Sequence, residues 1–513
     1  MRILFGYGAA FVLPALLGIG IVVIATMPYG VGLSPDSAGY IATARHLASG
    51  HGAISFDDAP LLAQPPLYPA LLAVIDYGFG IHPVSSARFV NAVLLGLILY
   101  LSGLLVLQLR TFRSTPALAL VVTVFFLLSG TLLHVSLMLW SEPLFICLML
   151  LYLVYSRSYA AEGDAVSLVL LSLSVGLACL TRYIGVILIL TGAVDILMLR
   201  RGRQRAIHVA VFTVISSVPL GIWVIRNYLA SATLFGPRAS SRFSLLENLG
   251  FASKTFVSWY VPAAMSAHTV ALAILLTAGA GALGVSMVGD WRRWRAVITE
   301  LRSFLLVSVA YVVFLLGSST IILHDQIDDR LLAPIFVPAS LIALSLVSET
   351  VLSFGKRWSA HFARLSLAGV MALGLVYPAT VTVRLIAFTI HEGQGYNSKL
   401  WQDSEIRQYL RFHRARLESE CVTIYANGAA ASYLFTNLQA RTSPRRRQRN
   451  GPASTNTVAR AAVTWPETDK ACLVWFDRIV GNNLITVDEL QTQVSMTRMA
   501  RLEDGEIYSV RRK

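Results

Sequence analysis

About eleven apolar runs recur along this 513-residue chain, most of a length suited to crossing ~30 Å of hydrocarbon and some shorter, which tilt little or pack inside the bundle. They lie at roughly 3–26, 85–108, 116–136, 139–156, 165–180, 183–199, 206–226, 265–288, 303–322, 332–350 and 365–388. Inside hydrocarbon a segment must satisfy its own backbone hydrogen bonds, so such runs read as a bundle of spanning helices. A composition of 55% hydrophobic and 14% charged residues excludes a soluble single-core reading. The first run, behind Arg2, is too long for a signal-peptide core and lacks a small-residue cleavage site, which predicts a retained span.

A net charge of +14 in a soluble chain would suggest nucleic acid. Here the cations gather in short turns instead: Arg2, Arg110 with Arg113, Arg157, the cluster Arg200 to Arg205, the cluster Arg292, Arg293 and Arg295, and Lys356-Arg357. Alternating spans put all of these on one side, and the positive-inside bias makes that side cytoplasmic. The reading is a multi-pass protein of the bacterial inner membrane with a cytoplasmic N-terminus. No nucleic-acid motif accompanies the charge. The opposite, periplasmic side then holds segments 27–84, 227–264 and 323–331 and the tail. Function belongs on those longer segments.

The tail changes character and divides the chain into a membrane part, 1–388, and a soluble α/β part, 389–513. Val422–Ala426, Leu473–Phe476 and Gly505–Val510 read as strands, and Glu405–Leu417 and Thr486–Val494 as helices. Cys421 and Cys472 each begin a strand-like segment. In an oxidising compartment they can pair; otherwise they are buried thiols, as Cys147 and Cys179 are expected to be. The basic stretch Arg445-Arg446-Arg447-Gln448-Arg449 reads as a solvated loop or as a contact with anionic head groups.

Ser34-Pro35-Asp36-Ser37 follows the first span and opens a segment with helical spacing. Asp36 there is either a general base at the membrane edge or part of a helix cap. Gln64-Pro65-Pro66-Leu67-Tyr68-Pro69 breaks the chain before an apolar helix. It is either a structural start to that helix or the lining of a site mouth, with Gln64 and Tyr68 as donors. Glu142 in Trp140-Ser141-Glu142-Pro143 is a candidate because an acid at membrane depth is costly, although a loop tip would leave it wet. Arg182 and Arg226 end spans and read first as snorkelling cations. Arg238, Arg242 and Lys254 sit in the second outer segment. Arg330, at the mouth of a span and behind Asp328 and Asp329, has the fork that matches phosphate oxygens. The aspartates either orient it or neutralise it, and Pro334 and Pro338 are expected to bend the helix that follows. Cations to hold a phosphate and a carboxylate to activate a nucleophile suit an anionic, lipid-linked substrate.

In order and spacing these segments resemble the GT-C fold membrane glycosyltransferases. The likeness is to the bacterial branch of aminoarabinose transferases and protein O-mannosyltransferases, related to glycosyltransferase family 39. The resemblance rests on Asp36 with Tyr40, the alanine-rich stretch Ala42 to Gly50, Pro65-Pro66-Leu67-Tyr68-Pro69, and Ser141-Glu142-Pro143-Leu144. It continues through Thr181-Arg182-Tyr183, Arg226-Asn227-Tyr228 with Gly236-Pro237-Arg238, and Arg330-Leu331-Leu332-Ala333-Pro334. It implies an inverting transferase that takes a sugar from a polyprenyl phosphate or diphosphate donor on the periplasmic face. Asp36 inherits the role of base and Arg330 that of the donor-phosphate contact. Tyr40, Gln64, Tyr68, Glu142, Arg226, Arg238 and Lys254 are the further candidates for substrate binding. The acceptor is a lipid, glycan or protein. Three positions depart from the pattern. Ser37 replaces a second acid, Gln64 replaces a lysine, with Lys254 as the substitute phosphate contact, and Leu331 replaces an aromatic residue. No cofactor is implied. A divalent metal is left open, with Asp57, Asp58, His324 and Asp325 as possible ligands. Two other classes compete: a flippase of lipid-linked sugars, which predicts charges deep in several spans, and an inactive member whose bundle anchors the tail as a binding module.

Overall fold

A computed structural model of the chain describes residues 8–113, 116–260, 290–354, 374–446, 465–480 and 484–512, together with positions 284 and 369. The helical part contains, in chain order, α1 (Val12–Ala25), α2 (Pro35–Ala48), α3 (Leu67–Phe79), α4 (Pro83–Gln108), α5 (Pro116–Leu127), α6 (Gly130–Leu137) and α7 (Glu142–Glu162). It continues with α8 (Ala165–Thr181), α9 (Val186–Leu199), α10 (Gly202–Ser231), α11 (Leu245–Ser258), α12 (Trp291–Ile321), α13 (Asp329–Phe354) and α14 (Val376–Glu392). Among the described residues, five helices are long and apolar enough to cross a membrane: α4, α7, α10, α12 and α13. The expected span at 265–288, and the arginines and lysine at 356–357 and 447–449, lie outside the described residues.

The structure revises the expected boundaries in several places. The run at 116–136 is no single rod: α5 and α6 meet at 48°. Ser129 Oγ accepts the Leu132 N–H at 3.2 Å and starts a new helix there. The break is filled from α14, because a Cβ on Gly130 would meet Val381 at 2.7 Å and Thr382 Oγ1 donates to the Leu128 carbonyl at 2.6 Å. Arg292, Arg293 and Arg295 lie in the first turns of α12, not in a loop. Helix α13 runs on through Pro334 and Pro338. One apolar core joins the bundle helices, while α2 and α3 of the first connecting segment pack with Leu139 in a smaller one.

The C-terminal part holds α15 (Glu405–Phe412), α16 (Arg414–Glu420), β1 (Thr423–Ala426), α17 (Ala429–Thr436), β2 (Ala440–Thr442), β3 (Ala471–Phe476), α18 (Val487–Gln493), β4 (Ser495–Leu502) and β5 (Gly505–Arg511). The strands form one sheet in the order β2-β1-β3-β5-β4. β1 is parallel to β2 and β3, and β5 is antiparallel to β3 and β4. Central β3 sends Cys472, Val474 and Phe476 into one core and Ala471 and Leu473 into the other, which explains its unbroken apolar run. The expected helix over 405–417 breaks at His413 into α15 and α16.

Cys421, just before β1, and Cys472 of β3 form a disulfide, 51 residues apart in sequence. Closing a loop of that size removes denatured-state entropy worth about 4 kcal/mol in the chain-entropy account. Replacing both cysteines by serine is therefore expected to make the tail markedly more sensitive to limited proteolysis while the bundle stays intact. Equal cleavage rates for the two proteins would refute this role.

The sheet also reaches the first connecting segment. Ala430 and Tyr433 of α17 pack against α2, and the Ala440 N–H donates to the Phe56 carbonyl at 3.1 Å. Helix α2 is thus held between the bundle and the sheet.

Candidate active site

The segment leading into α2 is fixed on both sides before the helix begins. The Gly32 N–H donates to Leu137 O at 2.8 Å, the Leu139 N–H to Gly32 O at 2.9 Å, and the Tyr396 N–H to Leu33 O at 2.8 Å. A side chain at Gly32 would collide with Met138. The helix start is then capped by serines. The Ser34 N–H donates to Ser37 Oγ at 2.9 Å, and Ser37 Oγ donates to the Leu139 carbonyl at 2.9 Å. Capping therefore does not consume Asp36. It also accounts for Ser37, which is fully buried against a carbonyl oxygen, where a second acid would be repelled.

Asp36 meets a cation from far along the sequence. Arg330, at the start of α13, donates from Nη2 to Asp36 Oδ2 at 2.5 Å and from Nε to Glu142 Oε1 at 2.6 Å. Arg182 Nη1 reaches the same Glu142 oxygen at 2.6 Å. The result is an alternating chain, Asp36–Arg330–Glu142–Arg182, with as many negative as positive groups. Gln64 Nε2 donates to the other Asp36 oxygen at 2.9 Å. Exposure separates the two acids: the Asp36 side chain is 37% exposed and the Glu142 side chain 1%. Asp36 can meet an incoming substrate; Glu142 can only act through the arginines it holds. Glu142 is thus not the wet loop-tip acid its turn position allows.

Packing holds the arginine fork in place. The Arg330 guanidinium lies 4.1 Å from the Trp140 ring centroid, and Trp140 Nε1 donates to Ser34 Oγ at 2.8 Å. The aspartates before Arg330 do not orient it. Asp329 Oδ1 accepts from Thr131 and from Trp259 Nε1, both at 2.7 Å, and Asp328 Oδ1 accepts the Leu331 N–H at 3.1 Å.

Tyr40 and Tyr68 form the floor behind Asp36, edge to face at 5.2 Å. The Tyr40 hydroxyl is 3.0 Å from Ser141 Oγ, and Tyr68 donates to Asn91 Oδ1 at 3.1 Å. Burial, reinforced by the Asp36 and Glu142 charges, pushes the Tyr40 hydroxyl far above the ordinary phenol range and keeps it protonated.

The remaining candidates stand apart from this chain of charges. Arg226 donates to the Leu61 and Ala53 carbonyls, both at 2.9 Å, and Arg238 Nη2 to the Ala63 carbonyl at 3.0 Å. Tyr183 adds a bond to Leu62 O at 2.8 Å. Together they clamp the connector between α2 and α3. Lys254 is exposed on α11, with no ion pair among the described residues. Asp58 Oδ1 accepts from Gln439 at 3.2 Å, and His324 lies by Arg238 and Asp325; burial and Arg238 lower its pKa. Among the described residues no three His, Cys, Asp or Glu side chains converge as metal ligands.

The Arg226 geometry makes a prediction. Arg226→Ala is expected to speed hydrogen exchange across 53–63, since each lost charged hydrogen bond is worth about 1.5–3 kcal/mol. A phosphate-binding role predicts instead a raised KM for donor with exchange unchanged. Arg182, Trp140 and Ser141 are the residues that a reading by motif underrated. The usable signal for Arg182 was a cation directly at the end of an apolar helix.

ArnT from Cupriavidus metallidurans in the apo state matches with a TM-score of 0.60 and 14% identity over 98% of both chains. The same protein bound to undecaprenyl phosphate matches at 0.56, with 13% identity over 97% of both chains. An Archaeoglobus fulgidus oligosaccharyltransferase tethered with an acceptor peptide matches at 0.55 and 11% identity, over 92% of this chain and 69% of that one. No family model and no curated protein sequence matches. The chain is a membrane protein with the GT-C fold, and at these identities the likeness is one of fold.

Proposed function

We propose that this protein is an inverting membrane glycosyltransferase that takes its sugar from a polyprenyl-phosphate-linked donor. The observation that carries the reading is the meeting of a partly exposed carboxylate, Asp36, with the buried fork of Arg330 at the mouth of a GT-C bundle. The undecaprenyl phosphate bound to one fold neighbour adds support for a polyprenyl-linked partner. In the reaction, an acceptor hydroxyl or amine gives its proton to Asp36 as its oxygen or nitrogen attacks the anomeric carbon. The bond from that carbon to the phosphate oxygen breaks on the opposite side. The leaving phosphate keeps the electron pair, and Arg330 stabilises its charge. Gln64 orients Asp36, and Glu142 with Arg182 sets the position of Arg330. The buried pair Tyr40 and Tyr68 supports the wall behind them.

The site end of the bundle is assigned to the periplasm. The arginine-rich turns gather at the other end, and the Cys421–Cys472 disulfide in the tail suits an oxidising compartment. The protein then lies in the bacterial inner membrane with residues 1–388 as the transferase part and 389–513 as a periplasmic α/β part. Arg238 and Lys254 remain the candidates for drawing an anionic donor toward the mouth by charge, without contact to Asp36 or Arg330.

The direct test uses a radiolabelled undecaprenyl-phosphate-sugar pool in membranes, with transfer to lipid, glycan and protein fractions counted separately. Labelled product from wild type and none from membranes lacking the protein supports the reading. Label remaining wholly on the carrier in both refutes it.

A further inference from the structure

A charged cavity opens at the end of the bundle away from Asp36. Helix α7 runs from Glu142 in the candidate active site to Glu162 at this cleft, roughly 30 Å at the rise of an α-helix. That distance matches the hydrocarbon thickness, so the cleft sits at the opposite membrane interface. Its volume is about 1010 Å³, at the upper end of the range for small-ligand sites.

Six arginines line the cleft against two glutamates. The deeper cations are already committed. Arg157 donates to the Glu300 and Gln108 carbonyls at 2.9 and 2.7 Å, and Arg302 Nε donates to Asp195 at 2.6 Å. The other four, Arg110, Arg113, Arg292 and Arg295, are exposed at the rim, with no side-chain ion pair among the described residues. Leu107, Ala161 and Ala296 also line the cleft and give it an apolar part, with Leu107 buried. Gln108 Oε1 and Arg157 Nε are buried beneath it without hydrogen-bond partners among the described residues. Trp291, 59% exposed at the start of α12, marks the interfacial depth.

We propose that this cleft binds the head group of an anionic phospholipid from the leaflet opposite the candidate active site. The phosphate meets the four rim arginines, and the first acyl carbons lie against Leu107, Ala161 and Ala296. A soluble anion would use the cations and leave the apolar part uncovered. A basic pocket between spanning helices at a membrane interface is the setting in which anionic head groups are held. The assignment does not depend on the transferase reading.

The test places the whole protein in nanodiscs of equal parts phosphatidylglycerol and phosphatidylcholine. Lipids retained after release into detergent are counted by native mass spectrometry. Wild type is expected to retain phosphatidylglycerol preferentially, and Arg292→Ala/Arg295→Ala to lose about tenfold in that retention. A matched variant, Arg201→Ala/Arg203→Ala, removes the same charge from the same end outside the cleft and is expected to retain lipid as wild type does. All four substituted side chains are exposed, and unchanged melting and elution profiles check that both variants fold. Equal retention of the two lipids by wild type overturns the proposal. So does an equal loss in both variants, which would make the effect one of general surface charge. Displacement of the lipid by millimolar inorganic phosphate would assign the site to a soluble anion instead.

Discussion

Asp36→Asn is expected to slow sugar transfer by about 10³-fold, within the 10²–10⁴ that a positioned general base contributes. The substitution is nearly isosteric. An asparagine oxygen can still accept from Arg330 Nη2, which lies 2.5 Å from the present carboxylate. What disappears is the ability to take a proton from the acceptor. The loss should therefore appear in kcat, with KM for the donor changed only a few-fold. The rival role for this acid is favourable interaction with the N-terminus of α2, worth about 0.3–1 kcal/mol. That role predicts a small loss of stability and wild-type turnover. Initial rates with a radiolabelled polyprenyl-phosphate-sugar separate the two, and equal rates for wild type and Asp36→Asn would remove Asp36 from the chemistry.

Glu142→Ala should destabilise the protein by about 3–5 kcal/mol, the cost of breaking a buried ion pair by removing one partner. Glu142 Oε1 accepts from Arg330 and Arg182 at 2.6 Å each. Their side chains are only 12% and 20% exposed. Without the acid, two close guanidiniums face each other with Asp36 as their one anion. Thermal unfolding in detergent should show a large fall in midpoint, and the double variant Glu142→Leu/Arg182→Met should recover part of it, because the second change removes one stranded cation. A wet turn residue predicts a change within about 0.5 kcal/mol. An unshifted midpoint for Glu142→Ala would mean that the charge chain does not hold the site together.

These two expectations differ in how far they could be read from the residues. Asp36 and Arg330 stand out by position, each polar and next to a long apolar run. Their pairing does not, because 294 residues separate them and only the folded chain brings the start of α13 to the start of α2. Glu142 and Arg182 illustrate the same limit. Each sits at a helix end where water is the simpler partner, and burial is decided by the helices that close over them. In the tail, β3 was legible as a dense apolar run. β4 was not, because most of its positions are exposed or half-buried and it gains its partner only from β5. β2 is three residues long, too short to carry a pattern.

The amino-acid sequence by itself determined the membrane class of this protein, the positions of the apolar helices α4, α7, α10, α12 and α13 and the end of the bundle that gathers arginine. These follow from local chemistry: hydrocarbon excludes unpaired backbone, and cations collect in the turns between spans. Only the tertiary structure decided which acid is open and which is buried. It also assigned the cap of α2 to Ser34 and Ser37, tied Arg226 to the connector and built the cleft at the far end. Those outcomes depend on contacts between residues far apart in the chain, where a shift in packing changes whether a charge meets water, a carbonyl or another charge.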